Sequence, residues 1–279
     1  MILVTGTMRS GTSLWMQLLV AAGFQPIGSA FPKRWAETLA EANPRGFYES
    51  ALRWGVYYRT NPHPRTGSFL LPEATQAHLV KVFVPGLIRT DLTFVDHVVA
   101  TMRPWREYVA SIQRLRAIEA KNRPPAAAPT PGAANGAGRR PSRRERLPPE
   151  ITWFFENYTL VRDIHVRRHP HRLYTYDRLL RDPESVITDA LAFLGDGDAE
   201  AAIAAVDPGL RTQQGGECPD PALSDAEREV CDALYDHVDR AQPLPVSLLN
   251  TLNRTWLGMR ARYPAVPEPD PWQEQGSDG

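Results

Sequence analysis

The sequence predicts an α/β fold in three layers, with a central, mostly parallel sheet flanked by helices and a phosphate-cradling loop (P-loop type) at its start. Three observations point there. A short apolar, β-branched run at residues 2–5 ends at Gly6 and passes through a glycine-bounded loop into a stretch with helical apolar spacing. Two further apolar runs, 79–84 and 97–102, are continuous rather than alternating, as strands buried on both faces are. The last of these leads straight into a helical pattern at 105–119.

Taken in order, residues 2–5 read as the first strand and 12–22 as the first helix, with Gly23 as the residue that ends it. Residues 121–149 are rich in Pro, Ala, Gly and Arg without periodicity, a composition that cannot bury enough surface to order itself. We expect a disordered insertion there, its RRPSRRER run a solvated loop. A long helix is expected at about 150–169 and a short strand at 172–176. Another helix should span 183–194, with Pro183 in its first turn and Gly195 at its end. Residues 224–241 open with the capping box Ser224-Asp-Ala-Glu227 and read as helix. The expectation is thus a single domain over 1–263 and a flexible tail at 264–279.

Composition narrows the function. The chain has 279 residues and a formal net charge of zero, so no basic excess argues for nucleic acid, and any anion site must be local. Lysine occurs only at Lys33, Lys81 and Lys121. Cys218 and Cys231 lie in no metal-like spacing and exclude a disulfide framework. No stretch approaches the roughly 20 apolar residues that span a bilayer, and the start lacks a signal-like pattern, so a cytoplasmic location is expected.

The strongest chemical signal is VTGTMRSGTSLW at residues 4–15. Gly6 and Gly11 stand five apart, and Thr12 and Ser13 follow at a helix start. Glycines let several backbone N–H groups turn toward one anion, and the helix N-terminus adds partial positive charge. Where an ATP or GTP loop has Lys, this chain has Thr12, and its cation is Arg9. The run 97–102 is followed by Arg103 rather than by an Asp that could hold Mg²⁺, which disfavours a metal-dependent triphosphatase.

Residues 7–14, Thr-Met-Arg-Ser-Gly-Thr-Ser-Leu, resemble the 5′-phosphosulfate loop of the sulfotransferases, in the form with Arg that protein-tyrosine and many bacterial members carry. In that family a strand ends in Arg and the following helix supplies Ser eight residues later, both on the cofactor's 3′-phosphate; Arg103 and Ser111 match. The segment 173–195 looks like the family's Tyr-acidic segment before a helix ending in Phe-Leu-Gly, which would put Tyr176 near the nucleotide; a core aromatic at a strand end is the other reading. The family's C-terminal Arg-Lys-Gly motif is absent, and Arg211 is the candidate substitute. Pro104 follows Arg103 where the family has Asp-Pro.

The resemblance implies transfer of a sulfuryl group from 3′-phosphoadenosine 5′-phosphosulfate, leaving 3′-phosphoadenosine 5′-phosphate, to an acceptor hydroxyl or amine. The acceptor could be a small molecule, a carbohydrate or a peptide. No metal is needed where fixed cations and amides stabilise the leaving oxygens. Arg9, Ser10, Gly11, Thr12 and Ser13 would hold the phosphosulfate, with Arg9 stabilising the leaving phosphate. Lys81 occupies the place of a sulfate-contacting Lys, but Phe83 stands where cytosolic members carry their His base.

Glu49, in a segment at 43–49 that resembles Asn-Pro-Arg-Gly-aromatic-aromatic-Glu of many bacterial members, is the candidate base. An ordinary surface Glu or a salt bridge to Arg45 is the alternative, and His63 is the reserve base. The aromatics Phe31, Trp35, Phe47, Tyr48, Trp54, Tyr57 and Tyr58 either line an acceptor pocket or form helix core. A kinase-like phosphotransferase, or a nucleotide-binding protein without turnover, is the alternative on the same fold.

Overall fold

Ile2–Gly6 forms strand β1, and its alternation shows why it lies inside the molecule. Ile2 and Val4 pack with Trp15, Leu19 and Val99 on one face, while Leu3 packs with Val80, Val98 and Leu87 on the other. With apolar contacts on both sides, a strand must lie between two helical layers. The computed structural model describes residues 1–32, 35–122, 147–207, 209 and 221–264.

Four strands of the described residues make one all-parallel sheet in the order β2-β1-β3-β4: β2 is Leu79–Lys81, β3 His97–Met102 and β4 His171–Thr175. Helix α1 (Thr12–Ala21) follows β1, and Gly23 with φ 104° turns the chain after it. A short α2 (Trp35–Thr38) and 3₁₀ turns at Ala40–Ala42, Ala51–Trp54 and Pro72–Thr75 carry the chain to β2. Then come α3 (Val84–Arg89), α4 (Trp105–Lys121), α5 (Pro149–Arg167), α6 (Tyr176–Arg181), α7 (Pro183–Leu194) and α8 (Ala199–Ala204). Two more, α9 (Asp225–Asp239) and α10 (Val246–Arg262), pack with α4 and α5 around Trp153, Tyr158, Leu234 and Met259. Helices α1, α7 and α8 cover one face of the sheet, and α3 and α5 the other.

From β1 the chain moves to β2 on one side, then returns past β1 to β3 on the other. This reversal opens a crevice outside the carboxyl ends of β1 and β3, where open α/β sheets bind ligands.

Local signals place several boundaries. Asp182 accepts from the Ser185 amide ahead of α7, and Gly195 at φ 79° ends it. Ser224 and Glu227 form the reciprocal capping box of α9. Strand β2 is shorter than its apolar run: Pro85, with no N–H to give a ladder, sits in the first turn of α3, which begins at Val84. The expected insertion at 121–149 is trimmed at both ends, since Lys121 closes α4 and Pro149 opens α5. Its residues 123–146 lie outside the described residues, as do 265–279 of the expected tail. No helix of the described residues is long and apolar enough to cross a membrane.

The aromatic-rich stretch before β2 is not long helix. Phe47 is buried and meets Phe31 edge to face at 6.4 Å, Trp54 meets Phe83 at 5.0 Å, and Tyr58 is exposed.

Candidate functional site

Two glycines let the β1–α1 loop close on itself. A Cβ at Gly6 would stand 2.4 Å from the Thr101 carbonyl oxygen, and at Gly11 (φ 107°) 2.7 Å from the Tyr176 ring. Gly11 is the N-cap of α1 and supplies no side-chain bond, so the first-turn amides of the helix lack the usual cap. Gly11→Ala should cost about 1–2 kcal/mol for the left-handed backbone alone. Urea denaturation should show that loss, with a further penalty from displacing Tyr176.

Arg9 takes a left-handed backbone at φ 71°, uncommon for a side chain this large. That turn sends its guanidinium across the cavity: Nε donates to Ser111 Oγ at 3.1 Å and Nη2 to the Ala42 carbonyl at 2.9 Å. Among the described residues no carboxylate pairs with it. Burial, then the nearby charges of Arg103 and Arg114, pull its pKa down to about 10, still well above neutrality.

The register of β3 and β4 pairs Met102 with Thr175, so the next residues, Arg103 and Tyr176, emerge side by side. The Arg103 guanidinium lies 4.7 Å over the Tyr176 ring, and Nε and Nη2 donate to Glu107 Oε2 at 3.1 and 2.9 Å. Trp153 Nε1 donates to the Arg103 carbonyl at 2.7 Å and fixes that backbone. Tyr176 thus touches both the loop, at Gly11, and the strand-end guanidinium.

On the β2 side, Lys81 Nζ lies 2.8 Å from Glu49 Oε1 and donates to the Phe47 carbonyl at 2.6 Å and to Ser13 Oγ at 3.1 Å. Burial lowers the Lys81 pKa, and Glu49 opposes that shift. Glu49 Oε2 is buried and accepts no hydrogen bond from the described residues. The alternative partner of Glu49 is occupied elsewhere: Arg45 pairs with Asp207 at 2.8 Å and donates to the Ala205 carbonyl. The loop bearing Glu49 is tied to α1, since Gln17 and Asn43 both donate to the Gly46 carbonyl.

These groups surround one cavity of about 760 Å³. Arg9, Gly11, Thr12 and Ser13 line it from the loop and α1, Glu49 and Lys81 from the β2 side, and Arg103 and Tyr176 from β3 and β4. Ser10 is not on the wall: it is buried, its amide donates to the Thr7 carbonyl, and its Oγ lies beneath the loop beside Gly6. Ser111 reaches the site through Arg9. His63 sits in a separate turn, its Nδ1 facing the Arg65 and Thr66 amides, away from the wall. Arg211 lies outside the described residues, and so do the Lys33 and Cys218 positions.

Sequence reasoning missed several wall residues. Tyr108, Ile112, Leu115 and Arg116 line the cavity from α4. Their spacing marks the helix face around Ser111, a signal present in the sequence. Arg53 also lines it, and only the fold brings it there. Such a wall, with four guanidiniums (Arg9, Arg53, Arg103 and Arg116) and a helix N-terminus around one space, suits a ligand with more than one anionic group. Among the described residues no group of three or more His, Cys, Asp or Glu side chains is placed to hold a metal ion.

No protein-family model matches the sequence, and no curated protein matches it. Among solved structures, the chain is similar to the sulfotransferase domain from the Synechococcus PCC 7002 olefin synthase, with a TM-score of 0.40 and 15% identity over 91% of this chain and 94% of that one.

Proposed function

We propose that this chain is a sulfotransferase that moves a sulfuryl group from 3′-phosphoadenosine 5′-phosphosulfate to an acceptor hydroxyl or amine. The observation that carries the reading is the convergence of two separate sequence signals on one cavity. The loop cation Arg9 reaches Ser111 at 3.1 Å, and the strand-end cation Arg103 lies over Tyr176, which itself packs on Gly11.

The residues present fit a bisphosphorylated nucleotide. A half-buried, partly desolvated guanidinium without a carboxylate among the described residues is costly in isolation and is relieved by an anion. The glycines leave room where any Cβ would meet a carbonyl or a ring. When bound, the nucleotide supplies the sulfuryl group and a phosphate that leaves with the bonding electrons.

The chain's own residues then divide the work. The first-turn amides of α1, with Thr12 and Ser13, would hold the phosphosulfate end; Arg103 and Ser111 would hold the 3′-phosphate, with Tyr176 beside them. Arg9, charged at neutral pH, would stabilise negative charge growing on the leaving oxygen. Glu49, whose Oε2 has no hydrogen-bond donor among the described residues, would take the acceptor's proton. Ser10 would contribute to the shape of the loop rather than to ligand contact.

Titration calorimetry with 3′-phosphoadenosine 5′-phosphate, against ATP with Mg²⁺, tests the reading. We expect binding of the bisphosphate; binding of ATP alone would abandon it in favour of a kinase. Transfer of radiolabelled sulfate to a panel of alcohols, phenols, amines and sugars then separates an enzyme from a nucleotide-binding protein without turnover.

Within this reading Arg103→Ala should weaken bisphosphate affinity by about 1.5–3 kcal/mol, the worth of a charged hydrogen bond, or roughly 10- to 150-fold. Turnover at saturating nucleotide should change little. Because the substitution removes the cation that buried Glu107 pairs with, calorimetry on the Arg103→Ala/Glu107→Ala pair separates lost affinity from lost folding.

A further inference from the structure

Lys81 presents an ammonium with three N–H groups to three oxygens: Glu49 Oε1 at 2.8 Å, the Phe47 carbonyl at 2.6 Å and Ser13 Oγ at 3.1 Å. Both side chains of the ion pair are 6% exposed. No N–H of Lys81 is left over for another anion unless one of these bonds breaks. Breaking the bond to Glu49 would strand a carboxylate whose other oxygen already lacks a donor among the described residues. The three acceptors also come from two places: the loop carrying Phe47 and Glu49, and the first turn of α1.

Resting on the sulfotransferase reading above, we propose that Lys81 is a positioning residue for Glu49. It keeps that carboxylate ionised and fixed at the end of β2 as the base for the acceptor, and it does not bind the transferred group. The other charged groups acting on Lys81 are Arg53, from the Ala51–Trp54 turn, and Arg9, from the β1–α1 loop. Both are cations, and no hydrogen bond joins either to Glu49 among the described residues. They soften the loss of Lys81 for the carboxylate without replacing its contact.

The two roles for Lys81 predict different pH behaviour. Removing a positioning cation leaves the buried Glu49 carboxylate without its counter-charge, which favours its neutral form. The base is then ionised only at higher pH. For Lys81→Met we expect the acid limb of the kcat profile to move up by about one pH unit or more, with turnover about tenfold lower below the limb and recovering above it. Lys81→Arg keeps the charge and should return the limb to its wild-type position. A loss of kcat in Lys81→Met by the same factor at every pH, with the limb in place, would assign Lys81 to the transferred group and overturn the proposal.

A melting cycle at neutral pH reads the same pair without activity. If Lys81 and Glu49 support each other, the Lys81→Met/Glu49→Gln double variant melts no lower than Lys81→Met alone, because no buried charge is left unpaired. Additive losses overturn the pairing. Should Lys81→Met itself not fold, Lys81→Arg and the double variant still supply the comparison. Absence of sulfuryl transfer by the unmutated protein at any pH would remove the reading beneath the proposal and with it the positioning role of Lys81, while the melting cycle would still decide the ion pair.

Discussion

Arg9→Ala is expected to lower kcat for sulfuryl transfer by about 10³-fold or more, within the range seen when a cation is removed from a developing charge in phosphoryl transfer, while leaving the protein as stable as before. The two halves of that expectation have one cause. Arg9 is half-buried and partly desolvated, its neighbours Arg103 and Arg114 are cations, and no carboxylate among the described residues offsets it, so its charge opposes folding. A group that costs the folded state and contributes to the transition state should separate the two measurements when removed. Ser111 Oγ and the Ala42 carbonyl lose a donor, which limits any gain in stability. Arg9→Lys keeps the charge but loses the planar fork, and should recover part of the rate. Steady-state kinetics at saturating nucleotide, beside thermal melting, checks both halves. A large drop in melting temperature with a proportionate loss of active protein would make Arg9 a structural residue instead.

The loop at residues 4–15 was legible because its residues carry their geometry with them. Gly6 and Gly11 are required by contacts within a few ångströms, at Thr101 and Tyr176, and the strand and helix on either side follow from periodicity alone. The spacing from Arg103 to Ser111 was also readable, since Ser111 lies about two turns into the helix that follows the strand-end Arg103. What it did not reveal is that Ser111 meets Arg9. That contact depends on β1 and β3 being neighbours, which only the sheet order sets.

Ser10 stands off the cavity wall for a local reason. In a loop with left-handed residues at Arg9 and Gly11, the direction of the intervening side chain does not follow from sequence, and Ser10 turns under the loop. The Glu49 alternative failed for a global one. Arg45 is four residues away, but the backbone pairing of Ser29 with Glu49 turns the carboxylate inward to Lys81, leaving Arg45 to Asp207. Strand β2 has its end written in Pro85, although the apolar run continues to Val84.

Glu49→Gln is the second large effect. It should lower kcat for a hydroxyl acceptor by about 10²- to 10⁴-fold, the usual contribution of a positioned general base, with nucleotide affinity held near wild type. Gln is nearly isosteric and its Oε can still accept from Lys81 Nζ, so the loop tied down through Phe47 and Ser13 should stay in place. Its amide, however, cannot take a proton, and it presents donors where Oε2 now presents only lone pairs. Burial puts the two readings of this carboxylate in opposition. As an ion-pair partner alone, Glu49 can be replaced by Gln with all three acceptors of Lys81 kept, at the stability cost of a buried ammonium left without its counter-charge. As the base, it is not replaceable at all by an amide, whatever the stability of the variant. An acceptor ionised at the assay pH, such as an acidic phenol, needs no proton removed; its transfer rate should therefore survive Glu49→Gln far better than that of an aliphatic alcohol. Equal losses for both acceptors would move the base elsewhere in the cavity, whereas a selective loss places proton transfer at Glu49.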